Sequence, residues 1–209
     1  MRGPDGKSKQ TAGRRSAADA QKPLRRATLP VRREYPRAFQ RALPGVKFRR
    51  SCDRAIAVLL TDLLAPARIK VPLRGETKEA VLRELLAIAL PGGDQATLNA
   101  VMAAQRARED VLSTGIGDGV AIPHAKTPAI TELFIAAGVS AKPVDYDALD
   151  GEPADLFFML LGPETAASAH VKALGRISRV LRRPALRDAL CASPDAAAFL
   201  RVIAESEAG

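Results

Sequence analysis

LFIAAGVS at residues 133–140 and DLFFMLLG at 155–162 are short, continuously apolar runs bounded by turn residues. Runs of eight residues are too short to make a helix pair, and without polar alternation they read as central strands buried on both faces. Upstream, AIAVLLTDLL opens an ordered region near Ala55 and leads through Ala65 and Pro66 into RIKVPL, where Ile69, Val71 and Leu73 alternate as in a first strand. Gly75 ends that element. Thr77 then suits the N-cap of a helix to about Leu90, with Val81, Leu82, Leu85, Leu86 and Ala89 at helical spacing. PGG at 91–93 stops it, and a second helix runs from about Asp94 to Glu109 with Leu98, Val101 and Met102 as its buried stripe and Gln105 beside them. Downstream of Glu164 the pattern is helical again. Val171, Leu174, Ile177, Val180 and Leu181 form one stripe, Pro184 opens a short helix, and Ser193 with Pro194 supplies the cap and first turn of another. Strands and helices that alternate and end in a helical run indicate a single α/β domain with helices on both sheet faces.

The chain has 209 residues, 47% of them hydrophobic and 4% aromatic, with no stretch of 18 uninterrupted apolar residues to suggest a transmembrane segment. Its formal net charge of +9 is unevenly placed. Residues 1–50 hold 15 of the 32 Lys and Arg but 3 of the 23 Asp and Glu, which leaves 17 cations against 20 anions in the rest. The domain itself is therefore mildly acidic and gives no reason to expect nucleic-acid binding through it. Residues 1–54 have few periodic apolar positions and cannot bury enough surface to offset their ordering entropy, so they are expected to be a disordered Arg-rich tail, with the functional domain at 55–209. A transit peptide or a nucleic-acid arm has similar composition, whereas a secretory signal would need an apolar core that is missing. Cys52 and Cys191 are far apart with no CxxC spacing, which fits reduced thiols in the cytoplasm, Cys191 as a small buried hydrophobe.

The segment REDVLSTGIGDGVAIPHAK, residues 108–126, holds the candidate chemistry. Gly115, Gly117 and Gly119 permit close backbone approach, either to cradle a phosphate or to turn a hairpin. The loop lacks the Lys and Ser or Thr of a nucleotide-binding P-loop. His124 follows Pro123, and the only other histidine, His170, begins HVKALGRISRVL. With no third ligand at recognisable spacing, no HExxH and no GxSxG, neither a metal site nor a serine hydrolase is supported, and no cofactor is expected.

Together these residues resemble the enzyme IIA family of the bacterial sugar phosphotransferase system, in its fructose, mannitol and nitrogen-regulatory branch. The resemblance spans about residues 58–205 and rests on LLTDLLAPARIKVPL, STGIGDGVAIPHAK and HVKALGRISRVLRRPALRDAL in that order. The loop wording is most like the nitrogen-regulatory branch. The resemblance implies a three-layer α/β/α domain with a central mixed sheet. It also implies that His124 is the phosphoryl acceptor, that His170 lies against it, and that Arg108 faces the phosphoryl group. The implied donor is phospho-HPr or its nitrogen-branch counterpart, and the implied acceptor an enzyme IIB cysteine or a set of regulated proteins. The alternative is a purely regulatory module with no role in sugar transport. Because family members commonly start near Val58, residues 1–57 are also expected to be a mis-assigned start.

The residue types suit this chemistry. A neutral imidazole is a competent nucleophile toward a phosphoryl group held in line, and Arg108 can offer a planar fork of donors to its oxygens. His170 is expected to donate to the phosphoryl oxygens or to fix the tautomer of His124.

Overall fold

The computed structural model describes residues 58–208. The expectations for the tail at 1–54, the onset of order at Ala55 and the state of Cys52 fall outside the described residues. A short helix α1 (Leu60–Leu63) leads through a 3-10 turn to strand β1 (Ile69–Leu73), and helices α2 (Lys78–Ala89) and α3 (Gln95–Glu109) follow. Short strands β2 (Gly115–Gly117), β3 (Val120–Ala121) and β4 (His124–Lys126) precede the long strands β5 (Phe134–Val144) and β6 (Ala154–Gly162). Helices α4 (Ala167–Leu181), α5 (Pro184–Cys191) and α6 (Ala196–Ala208) complete the order.

The sheet runs β1-β5-β6-β3-β2, with β4 also paired to β6. β5 and β6 are antiparallel, while β1 lies parallel to β5 and both β3 and β4 lie parallel to β6. The sheet is thus mixed, as expected. Side chains alternate across its two central strands. Phe134 and Ala136 of β5 join Phe157, Met159 and Leu161 of β6 against α2 and α3. Ile135, Ala137 and Val139 join Leu156, Phe158 and Leu160 against α1, α4 and α6. Both faces of β5 and β6 are therefore covered, which is why they read as unbroken apolar runs and why the domain has three layers.

Helix boundaries follow capping chemistry. The hydroxyl of Thr77 accepts from Ala80 N at 3.2 Å, and the carboxylate of Asp94 accepts from Thr97 N at 2.9 Å. The third cap differs from expectation. Asp195, not Ser193, accepts from the first turn of α6, at 2.8 Å from Ala198 N, while the Ser193 hydroxyl donates back to Ala189 O. Two stripe assignments also change. On α3 the fully buried positions are Val101 and Gln105, with Met102 at 5% and Leu98 only partly buried. On α4 Val171 is 68% exposed, because His170, Ala173, Ile177, Val180 and Leu181 make the buried face and place Val171 outside it. β5 runs past Ser140 to Val144, since pairing with Ala154 continues the ladder where the apolar run has ended.

Candidate functional site

β4 is the short outer strand that positions the central histidine. Its register sets His124 opposite Leu160 and Lys126 opposite Gly162 on β6. Pro123, which cannot donate, accepts from Leu160 N at 2.9 Å, and Ile122 N donates to Thr114 O at 2.9 Å, so both residues before His124 are fixed by the backbone. Ala125 packs into the core with α2 and α3, and strand alternation turns His124 and Lys126 to the opposite face, where α4 begins. His170, in the first turn of α4, is 3% exposed, and its ring centroid lies 5.9 Å from that of His124 at an interplanar angle of 54°. Arg108 reaches the strand from the end of α3. Its Nε is 3.0 Å from His124 Nε2, and its Nη1 donates to Leu112 O at 2.8 Å. The three residues singled out from sequence thus meet at an open cleft of about 570 Å³ that Lys126, Glu164 and Val171 also line.

The hydrogen bonds assign the tautomer of His124. Ile122 O, which can only accept, is 2.8 Å from Nδ1, so Nδ1 carries the proton and Nε2 keeps its lone pair toward Arg108. The tautomer is therefore set by a backbone carbonyl and not by His170, whose two ring nitrogens have no partner among the described residues. Burial holds the His124 pKa below the ordinary value of 6.5; the Ile122 hydrogen bond opposes this shift, and the charges of Arg108 and Lys126 support it. Burial, then the charges of His124 and Lys126, lowers His170 to about 4. Both rings are therefore neutral at pH 7.

The glycines serve the hairpin and not the cleft. Gly117 and Gly119 take φ of +92 and +75, and a Cβ there would come within 2.8 Å of the Asp150 carboxylate and 3.0 Å of that of Asp155. They let β2 and β3 fold tightly against the segment around Asp150, and none of the three glycines lines the cleft.

A buried network missed in the sequence holds the end of α3. The Glu109 carboxylate, 7% exposed, accepts from Thr114 N at 3.1 Å and from Tyr146 Oη at 3.3 Å, and it pairs with Lys78 Nζ at 3.0 Å. Thr114 Oγ1 also donates to it. Burial, with the charge of Glu109, pushes the Tyr146 phenol far up, so it stays protonated and donates. The signal lay in the neighbourhood of Arg108, but Lys78 and Tyr146 are too distant in sequence for spacing to connect them. Among the described residues no group of three or more His, Cys, Asp and Glu side chains is arranged to hold a metal ion.

Comparison with known proteins agrees with this geometry. The family model described as "Phosphoenolpyruvate-dependent sugar phosphotransferase system, EIIA 2" matches residues 62–206. The nitrogen regulatory protein of Bradyrhizobium diazoefficiens is 41% identical over 147 residues, covering 69% of this chain and 94% of that protein. The fructose-specific EIIABC component of Bacillus subtilis is 38% identical over 144 residues, covering 69% of this chain and 23% of that larger protein. The crystal structure of nitrogen regulatory protein IIA-Ntr from Neisseria meningitidis superposes with a TM-score of 0.64 at 26% identity, covering 69% of this chain and 98% of that one. The chain belongs to the EIIA 2 family of the phosphoenolpyruvate-dependent sugar phosphotransferase system, a phosphocarrier family with nitrogen-regulatory and sugar-specific members.

Proposed function

We propose that this protein accepts a phosphoryl group on His124 Nε2 from phospho-HPr or its nitrogen-branch counterpart, and either hands it to an enzyme IIB cysteine or keeps it as a regulatory mark. The observation that carries this reading is the pairing of Nδ1–H with Ile122 O, which leaves the Nε2 lone pair facing Arg108 in an open cleft. In the forward step the lone pair of Nε2 forms the new N–P bond as the bond from phosphorus to the donor breaks, and that electron pair stays with the donor. No proton moves. The imidazole gains positive charge, which the Ile122 carbonyl stabilises through Nδ1–H. The Arg108 guanidinium gives up its bond to Nε2 and turns its donors to the phosphoryl oxygens, where fixed donors do most of the work of phosphoryl transfer. His170, neutral and without a partner among the described residues, donates to the same oxygens.

The regulatory reading has its own support. The nitrogen regulatory proteins of Bradyrhizobium diazoefficiens and Pseudomonas aeruginosa are matched at 41% and 37% identity over 94% and 99% of their lengths. Similarity to the fructose-specific component supports transfer to an enzyme IIB. The phosphocarrier unit is residues 55–209, working in the cytoplasm, and among the described residues no helix is long and apolar enough to cross a membrane. The test is to mix the purified protein with enzyme I, HPr and labelled phosphoenolpyruvate. Label should enter the wild type and not His124→Ala, and full labelling of that variant would refute the assignment.

A further inference from the structure

We infer that Lys126 is a second cation for the phosphoryl group on His124, acting with Arg108 to hold the phosphorylated state; this rests on the phosphoryl-acceptor reading above. Lys126 lies two residues beyond His124 on β4, so the two side chains leave the same face of the strand, about 7 Å apart at their Cα atoms. Both line the cleft, and a flexible four-carbon stem can bring the ammonium to a group attached at Nε2. Lys78, whose ammonium approaches Glu109 beside Arg108, is itself committed to Glu109 and Asp147. Among the described residues Lys126 pairs with no carboxylate, although Glu164 shares the cleft. Its charge is felt by both imidazoles in the unmodified protein.

The charge balance explains why a second cation is needed. A phosphoryl group brings about −1.5 to −2 at neutral pH. Arg108 can neutralise about one of these charges and the positive charge gained by the phosphorylated ring about another, while Glu164 adds a negative group in the same cleft. The balance is a net anion in a half-buried cleft, and Lys126 offsets it. The ammonium also suits a carrier, because a mobile point charge releases its partner more readily than a fixed bidentate fork.

The test uses the full chain as wild type, Lys126→Gln and Lys126→Arg, each equilibrated with a phosphorylated donor at low and at high salt. The phosphorylated fraction is read by mass spectrometry. At low salt Lys126→Gln should lower the transfer equilibrium constant about tenfold, Lys126→Arg should restore most of it, and the difference should shrink at high salt. The inference is overturned if wild type is phosphorylated and Lys126→Gln matches it at both salt concentrations, or if the Arg variant loses as much as the Gln variant. If wild type takes no phosphoryl group at all, the acceptor reading falls, and this inference with it.

Discussion

Lowering the pH from 7 to about 4.5 should destabilise this protein through His170. In the folded protein burial, with the charges of His124 and Lys126, holds His170 at about 4, against an ordinary 6.5 in the unfolded chain. Between those values the unfolded chain binds the extra proton and the folded one does not, so stability is full above 6.5 and falls as the pH drops toward 4. At 1.36 kcal/mol for each unit of difference, the loss is at most about 3 kcal/mol. Glu207 loses its contribution lower down: burial raises its pKa, but the N–H groups of Leu60 and Thr61 together with the Arg176 guanidinium and the Thr61 hydroxyl outweigh that and hold it below 4.5. The assay is urea unfolding of wild type and His170→Gln at half-unit steps of pH. The stability difference between them should shift against wild type by about 1 to 3 kcal/mol across the window, and it reports the coupled pair of rings, since His124 feels the same substitution. A difference that stays constant from pH 7 to 5 would refute the picture of a neutral, desolvated His170.

Arg108→Ala should slow phosphoryl acceptance roughly tenfold to a thousandfold, the scale for losing one transition-state donor, in rapid-quench labelling. It should also raise the His124 pKa in an NMR titration, because the nearby positive charge that helps to lower it is gone. An unchanged rate would mean the guanidinium does not face the transferred group. Deleting residues 1–52 should leave acceptance and thermal stability nearly unchanged, since that segment has few periodic apolar positions from which to build a core. A large drop in melting temperature would place part of the core in that segment.

The elements that were legible are those where local chemistry and tertiary burial agree. The strands β5 and β6 announce themselves because both faces are covered, and Thr77 and Asp94 mark helix starts because each cap bonds within its own first turn. His124 and Arg108 are marked by the wording of the 108–126 loop and His170 by the segment HVKALGRISRVL within the same resemblance, and the structure brings the three together. Where the reading failed, a tertiary partner decided the outcome. Val171 has the spacing of a core residue, but His170 takes its place on the buried face of α4. Gln105 looked like the polar neighbour of a stripe and is fully buried. The glycines of the loop suited either a phosphate cradle or a hairpin; the hairpin forms, and what decides it is the segment around Asp150, whose close approach only glycine permits. The tautomer of His124 depends on a carbonyl two residues earlier, whose direction no sequence pattern encodes. Lys126 and Glu164 reach the cleft only because β4 and α4 meet at one end of the sheet.

Phosphorus and nitrogen NMR of the uniformly labelled protein, after transfer from a phosphorylated donor, would read directly whether His124 Nε2 takes the phosphoryl group. A single phosphohistidine is expected, with phosphorus coupled to Nε2 of His124, Nδ1 still protonated, and no signal from His124→Ala. A phosphorus signal coupled to Nδ1, one assigned to His170, or one that persists in His124→Ala would contradict it.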